Sequence, residues 1–301
     1  MTKDRAFSLI ELSIVILIIG ILIAGVTQGS RLVKQGRIKT AQNQTNSSPV
    51  PGINGLALWV ETTFDTSFPS GLVDDGSSIT NWYDINPGAI NKISLAYAPI
   101  AGATSEPTYI AGGINNLPVI RFDGVYDCLI TPAKIPVNAL SQGQITIFMV
   151  AKYYGPNSGA GVIFKYQNTG ANLRIGIEVN SNYIRFDFPQ SVNGALLSTT
   201  TNIANQNYIF TFTENGTTQA ITLNGSSTPE AVQANNLAFI SSDSHMLSIG
   251  GDTQSDSAYC TGHYSQVDIG EIIVYDHMLK NSEIKDVQNY LSKKWAINLQ
   301  P

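Results

Sequence analysis

The stretch Phe7–Ser30, FSLIELSIVILIIGILIAGVTQGS, constrains this chain more than any other. From Leu12 to Ser30 there are nineteen residues and no charge. At about 1.5 Å per residue, a helix of that length covers ~28 Å, one hydrocarbon thickness. The expectation is a membrane-spanning α-helix. Glu11 interrupts the apolar tract near its start. A carboxylate in hydrocarbon costs about 2.5–3.5 kcal/mol and calls for a partner. The nineteen residues that follow hold no base, and the nearest upstream are Arg5 and Lys3. An α-amino group freed at Phe7 by cleavage after Ala6 would stand four residues from Glu11, one helical turn away.

The polar leader Met1-Thr2-Lys3-Asp4-Arg5-Ala6, then Phe7-Ser8-Leu9-Ile10-Glu11-Leu12 and an Ile/Leu/Val run, resembles the prepilin-type cleavage and methylation motif. Type IV pilins and type II secretion pseudopilins share it, and here it covers Lys3–Gly25. A secretory signal peptide has the reverse order, with its cut after the apolar region. The resemblance implies removal of residues 1–6 by a prepilin peptidase and N-methylation of Phe7. It also implies that Glu11 neutralises the Phe7 amine of a neighbouring subunit during assembly. Two positions depart from the pattern. Ala6 stands where Gly is usual, and Gln28 stands where many pilins carry a helix-breaking Pro. Gly20, Gly25 and Gly29 are then the weak points of the helix. The competing reading is an uncleaved single-pass anchor with a chance Glu.

Charge is unevenly placed. Between Leu12 and Val60 the only charges are Arg31, Lys34, Arg37 and Lys39, whereas beyond Thr40 there are 11 Lys/Arg against 20 Asp/Glu. An acidic body argues against nucleic acid as a partner. The basic collar suits anionic headgroups, acidic neighbours in a filament, or plain solvent. Counted by Lys/Arg alone, the collar would place the C-terminal side in the cytoplasm. The prepilin resemblance implies the opposite: inner-membrane anchoring with a periplasmic large domain, then an extracellular pilus or a periplasmic pseudopilus. A body poor in charge and rich in Asn, Ser, Thr and Gly agrees with that. Cys128 and Cys260 are the two cysteines; they permit one disulfide or two separate buried thiols.

The helix is expected to continue to Gln42 and fade over Asn43–Ser48. Ser48-Pro49-Val50-Pro51-Gly52 then reads as a linker. From Gly55 short strands with turn signals follow, the pattern of an all-β sandwich. The clearest are Ile145–Ala151, Val162–Tyr166, Leu173–Val179, Tyr183–Phe188, Leu247–Gly250 and Ile269–Tyr275. Tyr208–Thr213 and Gln219–Leu223 flank Asn215-Gly216 as a hairpin. A closing helix is expected with Asn281 as its cap. Ile284, Val287, Leu291 and Trp295 then share one face, packed on the sandwich.

Gly55-Leu56-Ala57-Leu58-Trp59, Asn81-Trp82-Tyr83-Asp84 and Leu117-Pro118-Val119-Ile120-Arg121-Phe122-Asp123-Gly124 come early. Gly270-Glu271-Ile272-Ile273-Val274-Tyr275-Asp276 and Tyr290-Leu291-Ser292-Lys293-Lys294-Trp295 come late. In this order the set resembles the laminin-G-like, concanavalin A-like jelly-roll domain of bacterial surface proteins. The layout expected is a leader at 1–6, an assembly helix at 7–45, a linker at 46–54 and a jelly roll at 55–297. The resemblance implies that Cys128 and Cys260 lie together as a disulfide. It also makes Asp123, Asp127, Asp252 and Asp256 the candidates for calcium. Asp123 is expected instead to tie its own Gly124-containing turn, and no metal or other cofactor is assigned.

Some jelly rolls are glycoside hydrolases, which need two carboxylates about 5–5.5 Å apart for retention. Glu271 has Asp268 three residues before it and Asp276 five after, so an unbroken strand puts both on the opposite face. Glu61 and Asp65 are four apart but flanked by Thr62, Thr63, Thr66 and Ser67, which read as a strand end. His245, His263 and His277 are scattered, with no zinc spacing. No enzyme site is expected. Trp82, Tyr83, Tyr126, Tyr153 and Tyr154 are candidates for a glycan or host-surface ligand, with core packing expected for Trp82. The reading is a type IV pilin-like subunit, minor or tip-located, displaying an adhesion domain. The alternatives are a type II secretion pseudopilin or a membrane-anchored carbohydrate-binding protein.

Overall fold

Helix α1 runs from Leu9 to Asn46, straight through Gly20, Gly25, Gly29 and Gly36. The computed structural model describes residues 8–69, 71, 73–97, 106–155, 160–167, 174–188, 197–234, 244–253, 257 and 259–301. The chain divides into two units, Met1–Thr40 and Ala41–Pro301.

In the first unit the side chains from Leu9 to Ile23 are exposed on every face of the helix. An all-round apolar surface is stable in lipid, and the helix is long and apolar enough to cross a bilayer. At its start the Ser8 N–H donates to Glu11 Oε2 at 2.9 Å, and the Ile10 N–H reaches Ser8 Oγ at 3.4 Å. Ser8 and Glu11 thus cap the first turn of the helix.

The second unit is rich in strands. In chain order they are β1 (Leu56–Glu61), β2 (Asn81–Trp82), β3 (Leu95–Tyr97), β4 (Thr108–Ile114), β5 (Leu117–Asp123), β6 (Leu129–Ile130), β7 (Ile135–Pro136), β8 (Ile145–Tyr153) and β9 (Ala160–Gln167). Then come β10 (Arg174–Asn180), β11 (Tyr183–Asp187), β12 (Leu197–Ser198), β13 (Asn207–Glu214), β14 (Thr218–Leu223), β15 (Ala231–Ala234), β16 (Ser244–His245), β17 (Leu247–Ile249) and β18 (Gln266–Tyr275). Helix α2, Asn281–Trp295, closes the unit. One sheet has the order β15-β14-β13-β8-β18-β5-β4, with β1 also on β18. The other has the order β12-β11-β10-β9-β17-β6-β3-β2, and β16 pairs β7 apart from both.

Strand β8 shows why the two sheets stack. Ile147, Met149 and Ala151 enter the core between the sheets, while Phe148 and Val150 enter a second core beneath α2. A strand covered on both faces needs apolar residues at both parities. Val287, Leu291 and Trp295 of α2 fill that second core together with Trp59, Ile273 and Tyr275.

Strand β18 changes partner halfway. Gln266–Ile269 pairs β5, and Glu271–Tyr275 pairs β1. The change falls on a bulge: Ile269 faces Ala151 and Glu271 faces the adjacent Val150, with Gly270 extra. A Cβ on Gly270 would lie 2.3 Å from Trp295 Cη2, so the indole occupies the space that any side chain there would need. Thr62 Oγ1 donates to Pro118 O at 2.6 Å and lies 3.2 Å from Gly270 O, filling the seam between β1 and β5.

Residues 41–54 are part of the second unit. Ala41 and Thr45 are buried, Gln42 Nε2 donates to Thr63 O at 3.0 Å, and Tyr275 Oη donates to Val50 O at 3.0 Å. Val50–Gly52 is a 3-10 turn, and Val50 is fully buried. At α2 the N-cap is Lys280 rather than Asn281, because Glu283 reaches back to accept the Lys280 N–H at 2.9 Å.

Candidate functional site

The strongest concentration of charge lies in the core beneath α2. Lys294 Nζ stands 2.8 Å from Glu61 Oε2 and 2.9 Å from Glu271 Oε2, and all three side chains have no exposed surface. Glu61 and Glu271 face each other as the last pair of β1 and β18. Glu271 also accepts from Trp59 Nε1 at 2.8 Å, Tyr290 Oη at 2.7 Å and Trp295 Nε1 at 2.8 Å. Glu61 Oε2 accepts the Thr63 N–H at 2.8 Å and the Thr63 hydroxyl at 2.7 Å. Burial presses Lys294 towards the neutral amine, but Glu271 and then Glu61 overcome it and hold the ammonium above the ordinary lysine value. Burial pushes the Tyr290 phenol well up, and the two carboxylates push it further. Substrate has no access to carboxylates held in this way, and their chemistry is that of a structural ion network.

The bulge corrects one expectation. Asp268 and Glu271 lie on the same sheet face, because Gly270 adds a residue between them. Asp268 takes a bidentate pair from Arg121, 2.7 and 2.8 Å, and the Tyr154 hydroxyl at 2.6 Å. Even so, Asp268 and Glu271 serve separate networks, the first half-exposed through Arg121 and the second fully buried. Glu61 ends β1, and Asp65 sits beyond it in a 3-10 turn.

On the second sheet Lys165 Nζ is 2.8 Å from Asp252 Oδ2 and 3.2 Å from Glu178 Oε1, all three buried. His263 Nδ1 lies 3.6 Å from the same Asp252 oxygen. Asp252 is thus committed to an ion pair. Asp123 Oδ1 accepts N–H groups from Val125 at 2.7 Å, Tyr126 at 3.2 Å and Asp127 at 3.3 Å. Asp127 Oδ2 returns the contact, accepting the Asp123 N–H at 2.8 Å. These two carboxylates organise their own turn. Asp256 lies outside the described residues, and no metal-holding group of His, Cys, Asp or Glu occurs among those described. Ala6 and Phe7 also lie outside them.

Cys128 and Cys260 form a disulfide with Cα atoms 6.4 Å apart, joining the turn after β5 to the loop before β18. Around it are Tyr126 and Tyr264, rings edge-on with centroids 5.9 Å apart. Burial, then Tyr126, Asp123 and Tyr97, push the Tyr264 phenol up to about 12. Of the aromatic candidates, Trp82 and Tyr153 are buried, Tyr83 and Tyr154 are half-buried, and Tyr126 is exposed. Tyr154 lies under Arg121 and Lys152, 5.1 and 4.9 Å from its ring centre.

Sequence reasoning missed Lys294 and Lys165. A signal for Lys294 exists: it lies seven residues after Val287, on the apolar face of α2. For Lys165, inside an apolar strand, the signal is the charge itself.

A capped, exposed apolar helix with its Glu at the third helical position is the local geometry that decides the comparison. Residues 1–27 match the prokaryotic N-terminal methylation motif. With the apolar helix, the methylation motif supports a single-pass membrane anchor. None of the curated proteins matches the chain. Among solved structures, the fold is similar to Trypanosoma rangeli sialidase in complex with sialic acid, at 13% identity and TM-score 0.52, over 80% of this chain and 33% of that one. The same sialidase with 2,3-difluoro-KDN matches at 14% identity and TM-score 0.51, over 88% and 40%. The receptor binding domain of botulinum neurotoxin mosaic serotype C/D matches at 12% identity and TM-score 0.50, over 78% and 50%. This chain therefore spans a third to a half of the structures it matches. At such identities the likeness is one of fold: a β-sandwich of jelly-roll type, here carried behind the methylation motif.

Proposed function

We propose that the chain is a type IV pilin-like subunit whose N-terminal helix assembles with sister subunits and whose jelly roll binds a ligand outside the inner membrane. The observation that carries the reading is the methylation motif at residues 1–27, which takes in the start of an exposed apolar helix, with Glu11 as the one charge in its apolar stretch. Cleavage between Ala6 and Phe7 by a prepilin peptidase would give an aromatic N-terminus, methylated on its amine. In the free subunit Glu11 has its own helix end to bond; in the assembly the amine of a neighbour replaces that contact. A head of this size crowds a regular filament, which favours a minor or tip position. The head is read as a binding module because Glu61, Glu271, Glu178 and Asp252 are spent on buried lysines, Asp268 on an arginine, and Asp123 and Asp127 on a turn. A ligand of the sialidase or neurotoxin type is not carried over from the fold.

Mass spectrometry of the mature protein tests this. The expected N-terminus is N-methyl-Phe7, and Glu11→Ala is expected to cut filament incorporation severely. A protein that keeps residues 1–6 in cells overturns the reading. A pseudopilin would show the same N-terminus but label in the periplasm instead of on surface filaments.

A further inference from the structure

Four bases follow the apolar tract of α1: Arg31, Lys34, Arg37 and Lys39. All four are exposed, and none forms a salt bridge among the described residues. Arg31, Lys34 and Arg37 recur at three-residue steps, so they share about a third of the helix circumference. Two common uses of such a collar fit poorly. With the head exported, the collar runs against the positive-inside preference, so orientation does not account for it. Arg37 stands seven residues past Ser30. That is about 10 Å along the helix, whereas the headgroup layer is about 5–8 Å deep on each side.

The second unit supplies the opposite charge. Ion pairs with Lys294, Lys165 and Arg121 occupy five of its buried acids. Asp65, Asp74 and Asp75, in contrast, are exposed and form no salt bridge among the described residues. Asp65 opens the 3-10 turn Asp65–Ser67. The Ala111 N–H donates to Asp75 Oδ1 at 2.7 Å and the Gly76 N–H to Tyr109 O at 2.8 Å, which lays Asp75 and Gly76 along β4, the edge strand of its sheet. Burial pushes the Tyr109 phenol up, and Glu61, Asp75 and Asp65 push it further, so two of the exposed carboxylates act on one hydroxyl.

We infer that the basic side of α1 in one copy docks on the Asp65, Asp74 and Asp75 edge of a second copy. This rests on the reading of the chain as an assembling pilin-like subunit, and it says which surfaces meet behind the apolar stems. Once a subunit has left the membrane its collar has no headgroups to face, so the opposite charge has to come from protein. The match is one of charge: a row of three cations on a helix against three carboxylates on a sheet edge, both carried by the same chain. The contact is heterologous, so a pair leaves one basic side and one acidic edge open.

The test is sedimentation of the full-length protein in neutral detergent. Association is expected at about 50 mM salt and dissociation at about 1 M, where the screening length is ~3 Å. Lys34→Glu with Arg37→Glu should weaken association about tenfold or more, and so should Asp65→Lys with Asp74→Lys. Mixed in equal amounts, the two variants should associate as the parent does, because each reversed surface then meets its opposite. Recovery on mixing also shows that both variants are folded. A parent that does not associate, or whose association ignores salt or survives either double substitution, overturns the inference. A mixture that fails to recover does the same. Association that appears only when phosphatidylglycerol is added to the micelles gives the collar to lipid headgroups and overturns it as well. The pilin-like reading is judged separately, from the mature N-terminus.

Discussion

Lys294 lies between Glu61 and Glu271, and none of the three side chains has exposed surface. Taking such charges out of water is costly, and their attraction recovers the cost only when every oxygen finds a donor. Trp59, Trp295 and Tyr290 supply donors to Glu271, and Thr63 supplies them to Glu61 Oε2, while the buried Glu61 Oε1 has none. Removing the cation leaves two carboxylates facing each other across β1 and β18. Lys294→Ala is therefore expected to lower stability by about 3–5 kcal/mol, read from urea denaturation of the second unit. A loss below about 1 kcal/mol, the scale of an exposed pair, would show that the network is not closed to water. In the sequence Lys294 reads as one of several lysines near the C-terminus. Its burial follows from the face of α2 it occupies and from two acids more than twenty residues away.

Among elements, β18 and the end of α1 matter most. The bulge at Gly270 lets one strand pair β5 first and β1 afterwards, and it turns Asp268 and Glu271 to one face. Parity counting assumes an unbroken pleat, so it reverses at any inserted residue. The last turns of α1 and the Pro49–Gly52 segment read as fading helix and linker because Asn, Ser, Pro and Gly dominate them. We propose that the folded head begins at Ala41. A fragment of residues 55–301 loses buried Ala41, Thr45 and Val50 and the acceptor for the Tyr275 hydroxyl. It is expected to be less stable than 41–301 by about 2–4 kcal/mol, measured by chemical denaturation of both fragments. Equal stability would return the boundary to Gly55.

Across the whole molecule, buried tyrosines set the response to alkali. Burial pushes Tyr153, Tyr154 and Tyr264 up to about 12, and Tyr109 and Tyr275 higher still. Unfolded tyrosines release their protons near 10. Between about 10 and 12 the folded state therefore binds more protons than the unfolded one, and stability falls as pH rises. Below that window the contribution is complete. The expected outcome is a tyrosinate absorbance that rises with loss of near-ultraviolet circular dichroism instead of before it. Free titration of these phenols near pH 10 in the folded protein would contradict the burial.

The sequence by itself determined the anchor, the all-β body and the closing helix, because each rests on a local pattern. Nineteen uncharged residues need a membrane, short alternating runs need a sheet, and a 3.6-residue stripe needs a surface to cover. The Cys128–Cys260 contact was implied by the resemblance to laminin-G-like domains, and the turn of Asp123 by the Gly124 beside it. Only the tertiary structure decided which charges meet. Glu61, Glu271 and Lys294 come from the two ends of the body, and Lys165, Glu178 and Asp252 from three separate segments. Contacts between residues so far apart depend on strand order and on a single inserted glycine, and neither leaves a periodic trace in the residues themselves.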